Sequence, residues 1–163
     1  YLYRVISSLD GKKMEQFRLN ENYDQNAGDV TDRFFKKGYG KMVILRWYSK
    51  TKLLNWELTV ILPAYNASGI LQAELGGLLS FLANEGLNAQ IIVVDDGSGD
   101  AAASERICKN YGVEYLSQMP NKGKGAALRL GFQKAAAPVI IFTDCDIPFQ
   151  YQNIITAYRL ICT

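Results

Sequence analysis

Val139-Ile140-Ile141-Phe142-Thr143-Asp144-Cys145-Asp146 sets an apolar run directly against two aspartates one residue apart. The run, rich in β-branched side chains, predicts a buried strand over Val139–Phe142. The D-x-D that follows then falls at the carboxyl edge of a sheet, where open α/β folds bind their ligands. Two hard oxygen donors there suit Mg²⁺ or Mn²⁺, an ion that keeps its remaining positions for water and substrate phosphates. A D-x-D alone is a weak signal, because exposed acidic pairs occur in many loops. The elements upstream of it give it weight.

From Leu58 onward, apolar runs alternate with helical periodicity, the pattern of βαβ units around a parallel sheet. Leu58–Leu62 is the first predicted strand, stopped by Pro63. Leu71, Leu75, Leu78 and Leu82 share one face of a helix over about Ile70–Leu82. Gln90–Val94 is the second strand, Ala101–Tyr111 a short helix, and Val113–Leu116 the third strand. A helix follows over Lys124–Ala136, broken by Pro138 before the fourth strand. Gln150–Leu160 reads as one more helix. The fold class is therefore α/β, with a mostly parallel sheet flanked by helices.

Residues 1–56 do not share this pattern and are expected to form a small β-rich element, separate in character from 57–163. Tyr1–Ile6 and Glu15–Leu19 flank Asp10-Gly11, a hairpin-turn dipeptide, and Lys41–Tyr48 reads as a further strand. This part carries 11 Lys and Arg against 6 Asp and Glu, leaving 7 against 10 for the remainder. A solvated basic surface accounts for that better than a binding patch, although Phe34, Phe35, Tyr39, Trp47 and Tyr48 are aromatics set among the charges. Asn20 to Gly28 reads as a polar loop.

Composition narrows the chemistry. With 48% hydrophobic and 21% charged residues the chain is globular rather than disordered. A net charge of +2 gives no field that would recruit nucleic acid. No apolar run approaches the ~20 residues of a membrane span. Cys108, Cys145 and Cys162 are odd in number and lack metal-site spacing, consistent with reduced thiols of a cytoplasmic chain. The absence of histidine excludes Ser-His-Asp and Cys-His catalysis and a histidine base. Carboxylates, lysines, backbone amides or a metal ion must do the work.

Three more clusters fall at strand ends. In Pro63-Ala64-Tyr65-Asn66, Tyr65 offers a flat face for a base and Asn66 both donor and acceptor atoms. In Asp95-Asp96-Gly97-Ser98, a carboxylate can accept from a base N–H or a ribose hydroxyl, and Gly97 permits a sharp exit. Ser98 or Asp100 can cap the next helix. Asn121-Lys122-Gly123-Lys124-Gly125 combines close backbone approach, two cations and a helix N-terminus, all attractive to phosphate. It lacks P-loop spacing, and no G-x-G-x-x-G follows the first strand, which counts against an NAD enzyme. A diphosphate leaving group would find a divalent ion and lysines to neutralise it.

Taken in order, Leu58-Thr59-Val60-Ile61-Leu62-Pro63-Ala64-Tyr65-Asn66, Ile91-Ile92-Val93-Val94-Asp95-Asp96-Gly97-Ser98, Asn121-Lys122-Gly123-Lys124-Gly125-Ala126-Ala127 and Thr143-Asp144-Cys145-Asp146 resemble the family 2 glycosyltransferases. Within them the series is most similar to the dolichyl- or polyprenyl-phosphate mannosyl- and glucosyltransferases, over about Leu58 to Leu160. The resemblance implies the GT-A fold and metal-assisted, inverting transfer of a hexose from a UDP- or GDP-sugar. The implied acceptor is a polyprenyl or dolichyl phosphate or another glycan acceptor, met by peripheral association at the cytoplasmic face of a membrane. It implies that Pro63, Ala64 and Tyr65 line the base and ribose pocket, with Asn66 beside them. Asp95 would bond the base, while Asp96 and Gly97 shape the turn. Lys122, Gly123 and Lys124 would lie near the base or diphosphate. Asp144 and Asp146 would hold the metal, Asp146 as the more direct ligand.

Two departures from the family pattern stand out. Ala67 replaces a glutamate that usually follows Pro-x-Tyr-Asn, removing one ribose contact. The family domain also continues well past the D-x-D, bringing the acceptor site and the general base, whereas 17 residues follow Asp146 here. A truncated segment without its base is the expectation. Arg46-Trp47 lies on the wrong side of the domain to match an Arg-Trp motif of processive members. The alternative function is a catalytically incomplete nucleotide-binding or interaction module derived from the same fold. A sugar nucleotidyltransferase would need a Gly-rich basic loop after the first strand, which is missing.

Overall fold

The computed structural model describes Leu2–Ile6, Met14–Arg18, Met42–Arg46 and residues 56–162. These include β1 (Leu2–Ile6), β2 (Met14–Arg18), β3 (Met42–Arg46), β4 (Leu58–Ala64), α1 (Ser68–Asn84), β5 (Ala89–Asp95) and α2 (Ala101–Tyr111). They continue with β6 (Glu114–Ser117), α3 (Lys124–Lys134), β7 (Val139–Thr143) and α4 (Gln152–Cys162). All seven strands share one sheet in the order β2-β1-β3-β7-β4-β5-β6. The four strands from β4 to β7 run parallel, and β3 joins antiparallel to β7 from Met42↔Thr143 to Arg46↔Val139. β1 pairs antiparallel with both β2 and β3. The expected strands of residues 1–56 thus extend the sheet at its β7 edge. The Asp10-Gly11 turn, the polar loop of residues 20–28, Trp47 and the other aromatics singled out there lie outside the described residues.

The parallel strands are buried on both faces, which is why they read as continuous apolar runs. Their side chains still alternate between two core layers. Val60, Leu62, Ile91, Val93, Val139 and Ile141 face a layer completed by Leu71, Leu75, Leu78 and Leu82 of α1 with Ile107 of α2 and Ile154, Ile155 and Ile161 of α4. Ile61, Ile92, Val94, Ile140 and Phe142 face α3, through Ala127 and Leu128. Gly131 lets α3 settle on the sheet: a Cβ there would stand 2.6 Å from Ile61 Cγ2.

One expectation needs correction. Pro63 does not stop the first strand; β4 runs through it to Ala64, with Pro63 in register opposite Val94 of β5. The Ala64 carbonyl accepts from the Asp96 N–H on the β5 side. Alternation therefore turns the donor-less Pro63 toward β7, where the ladder has already ended at Ile61↔Phe142. The missing N–H breaks no ladder bond, so proline is tolerated in a central strand.

The strand order sets the site. β5 and β6 build out from one side of β4, and β7 returns to its other side. That reversal opens a crevice at the carboxyl ends of β4 and β7, the switch point at which such sheets bind ligands.

Candidate functional site

Each motif singled out in the sequence lies at the carboxyl edge of this sheet. Tyr65 and Asn66 follow β4; Asp96, Gly97 and Ser98 follow β5; Asn121 to Lys124 lead from β6 into α3; Asp144 and Asp146 follow β7. Tyr65 is 57% exposed, so its ring is available to a flat ligand. Ala64 and Ala67 are buried.

The β4 and β5 loops are sewn together. Asn66 N–H donates to Ser98 Oγ at 2.8 Å, and Gly99 N–H donates to Asn66 Oδ1 at 2.8 Å. Ser68 N–H donates to Asp100 Oδ2 at 2.9 Å. Asn66 adopts φ 50°, a left-handed conformation that asparagine accepts more readily than most residues, and this aims its amide across the gap. Ser98 or Asp100 is the expected N-cap of α2, and Asp100 does take the N-cap position. Neither side chain bonds that helix: both serve the β4 loop, and Asp100 caps α1 across 32 residues of sequence. Bonds from Ser68 hold the Asp100 carboxyl below its ordinary value of 3.8.

Asp95 and Asp96 part company. Asp95 is fully buried; its Oδ1 accepts from Ser98 N–H at 2.9 Å, and its Oδ2 has no partner among the described residues. Burial, reinforced by the Asp95 charge, pushes the Tyr115 hydroxyl up to about 12. Burial likewise pushes the Cys108 thiol up to about 11, with Asp95 adding to it. Asp96 is 4% exposed, and its Oδ1 accepts from Gln118 Nε2 at 2.6 Å and from Lys122 N–H at 2.8 Å. Gly97 has φ 74°, and a Cβ on it would lie 2.7 Å from Asn121 N. Only glycine meets both demands there.

Lys124 and the D-x-D meet across β4. Lys124, the first residue of α3, forms an ion pair with Asp144 Oδ1. Ile147 N–H closes a turn on the Asp144 carbonyl at 3.1 Å, and Phe149 N–H donates to the Ile147 carbonyl at 2.7 Å. Ile147 is buried and takes φ 36°, a strained conformation for a β-branched residue. These bonds and the burial of Ile147 hold the turn, which leaves Asp144 half-exposed and Asp146 exposed. Among the described residues no three acidic, cysteine or histidine side chains gather into a ready ligand set. Two hard carboxylates on one turn are the donor type that fits a divalent ion with other ligands still to be supplied.

Sequence reasoning did not anticipate Gln118, Ile147 or the partner choices of Ser98 and Asp100. Gln118 has no motif around it, and a positive φ at isoleucine leaves no mark in sequence.

A doubly wound sheet with these strand-end motifs at its switch point is an α/β domain of the GT-A class. The family model for "Glycosyl transferase family 2" matches residues 59–161, and the chain belongs to that family of enzymes. It is 31% identical over 127 residues to the dolichyl-phosphate beta-glucosyltransferase of Homo sapiens, covering 71% of this chain and 38% of that protein. It is 32% identical over 95 residues to the dolichol-phosphate mannosyltransferase of Pyrococcus furiosus, covering 56% and 26%. The crystal structure of mannosyl-3-phosphoglycerate synthase from Rubrobacter xylanophilus superposes with a TM-score of 0.52 at 19% identity, covering 80% of this chain and 38% of that one. The last agreement is one of fold. The chain spans well under half the length of the curated relatives it matches.

Proposed function

We propose that residues 57–163 form the donor-binding half of a glycosyltransferase that moves a hexose from a UDP- or GDP-sugar to a polyprenyl or dolichyl phosphate. The observation that carries this reading is the gathering of four strand-end motifs at one switch point, with Lys124 and Asp144 joined across it. The acceptor class follows from the two curated relatives, whose names specify dolichyl or dolichol phosphate.

In this reading Tyr65 stacks on the base, beside Pro63 and Asn66. Asp95, whose Oδ2 has no partner among the described residues, accepts from a base N–H, and the backbone at Gly97 borders the ribose. Lys122, Lys124 and the Gly123 amide at the α3 N-terminus meet the diphosphate. Asp144 and Asp146 would hold Mg²⁺ or Mn²⁺, which when bound neutralises charge growing on the leaving diphosphate. Lys124 then exchanges its bond to Asp144 for the phosphate oxygens. Displacement at the anomeric carbon proceeds with inversion. β1, β2 and β3 add to the β7 edge of this half. No helix among the described residues is long and apolar enough to cross a membrane. Peripheral docking at the cytoplasmic face of a membrane is proposed on the strength of the lipid-phosphate acceptor alone.

One observation favours a second reading, a nucleotide-binding module without turnover: Ala67, where the family pattern places a glutamate, is 3% exposed and packed into the core. Calorimetric titration with UDP, GDP and their sugar conjugates, in Mn²⁺ and in EDTA, tests the donor site. Metal-dependent binding of one nucleotide is expected, and a folded chain that binds none overturns the proposal. Transfer of labelled hexose to a short polyprenyl phosphate then separates enzyme from module.

A further inference from the structure

We infer that Asp96 is a positioning residue: it presents the basic loop to the diphosphate, with Gln118 as the second anchor of that loop. The inference rests on the reading of Lys122 and Lys124 as diphosphate contacts. It begins from the bonding of one oxygen. Asp96 Oδ1 accepts from Gln118 Nε2 at 2.6 Å and from Lys122 N–H at 2.8 Å, so a single buried carboxylate grips both ends of the segment from Gln118 to Lys122. Bonds to an ionised acceptor are shorter and stronger than neutral ones.

Three further contacts make the grip directional. Gln118 N–H donates to the Asp95 carbonyl at 3.0 Å, carrying the β5–β6 pairing one residue past the strand. The backbone of Asn121 lies on Gly97, where a side chain would collide with it. Asn121 Oδ1 then accepts from Gly123 N–H at 3.1 Å, and α3 begins at the next residue. The path from Asp96 to Lys122, Gly123 and Lys124 is continuous. It fixes where the backbone of Lys122 and Lys124 and the α3 N-terminus stand relative to β5. Asp96 spends Oδ1 on both ends of this loop, so it acts through the lysines rather than on substrate.

The test uses the full chain with Mn²⁺ and four probes, UMP, UDP, GMP and GDP, titrated calorimetrically. The quantity read is the ratio of diphosphate to monophosphate affinity for whichever base binds. Gln118→Leu removes one anchor and leaves the Lys122 bond, and it should lower that ratio about threefold to tenfold while monophosphate affinity stays within about twofold. Asp96→Asn should lower the ratio in the same sense. Should Asp96→Asn fail to fold, Gln118→Leu, on the half-buried side of the loop, carries the test alone. An unchanged ratio, or equal loss for both phosphates, overturns the inference while leaving the donor site standing. Wild-type chain that binds neither diphosphate overturns the donor site and this inference together.

Discussion

The two halves of the crevice are held by different forces. On the β4–β5 side, three hydrogen bonds of 2.8 to 2.9 Å tie loop to loop, each pairing a backbone N–H with a side-chain oxygen. On the β6–β7 side the link across the crevice is the Lys124–Asp144 ion pair, whose side chains are 42% and 39% exposed. Two of these three satisfy part-buried backbone groups and are costly to break, whereas a solvated ion pair contributes little. The difference fits the two ends of a nucleotide sugar. A base needs a slot of fixed shape, while a diphosphate and its metal need charges that can exchange partners.

The largest test of this division is Asp146→Ala. An exposed carboxylate on the soft side should be dispensable for folding, yet its loss should weaken metal-dependent diphosphate binding roughly a hundredfold. A thermal melt reads the folding, and calorimetry in Mn²⁺ and EDTA reads the binding; a large drop in melting temperature would remove the division. Next comes a matched pair of single changes. Ser98→Ala leaves the Asn66 N–H without its acceptor and should cost about 1–2 kcal/mol of stability. Lys124→Met should cost less than about 1 kcal/mol, since its bridge is well solvated. Lys124→Met should nevertheless lower diphosphate affinity more than Ser98→Ala does. Denaturant melts and titrations on both variants sharpen the comparison, and a reversed order in either measurement breaks it.

Much of the stiff side's scaffold was legible in the sequence, because parallel strands buried on both faces declare themselves as apolar runs bounded by helices. The stripe of Leu71, Leu75, Leu78 and Leu82 is the same signal at helical spacing, and all four side chains are buried. What stayed hidden depends on partners far away in the chain. Ser98 and Asp100 have the composition of caps for the helix that follows them, and nothing local says that they serve a loop 32 residues earlier. Pro63 shows the same limit from the other direction. The rule that proline ends strands is local, and it yields here because the sheet's own register ends beside it. That β3 would add to the edge of β7 was beyond reach, since apolar pattern names strands but not their neighbours.

The finest test lies in the cap at Asp100. Its folded carboxyl sits below 3.8 because Ser68 donates to it. Above that value both folded and unfolded chains carry the charge, and the full contribution of the cap is present. As pH falls, the unfolded chain takes up its proton first, so stability is lost until the folded carboxylate is protonated too. Asp100→Asn keeps an oxygen for the Ser68 N–H but has no charge to titrate. It should therefore be less stable than wild type by a few tenths of a kcal/mol near neutral pH, the charge being favoured at a helix N-terminus. The gap should close in melts below about pH 3. Parallel profiles for the two proteins would mean that the carboxylate is a bystander, and that only two of the three stitches contribute to the rigidity of the β4–β5 side.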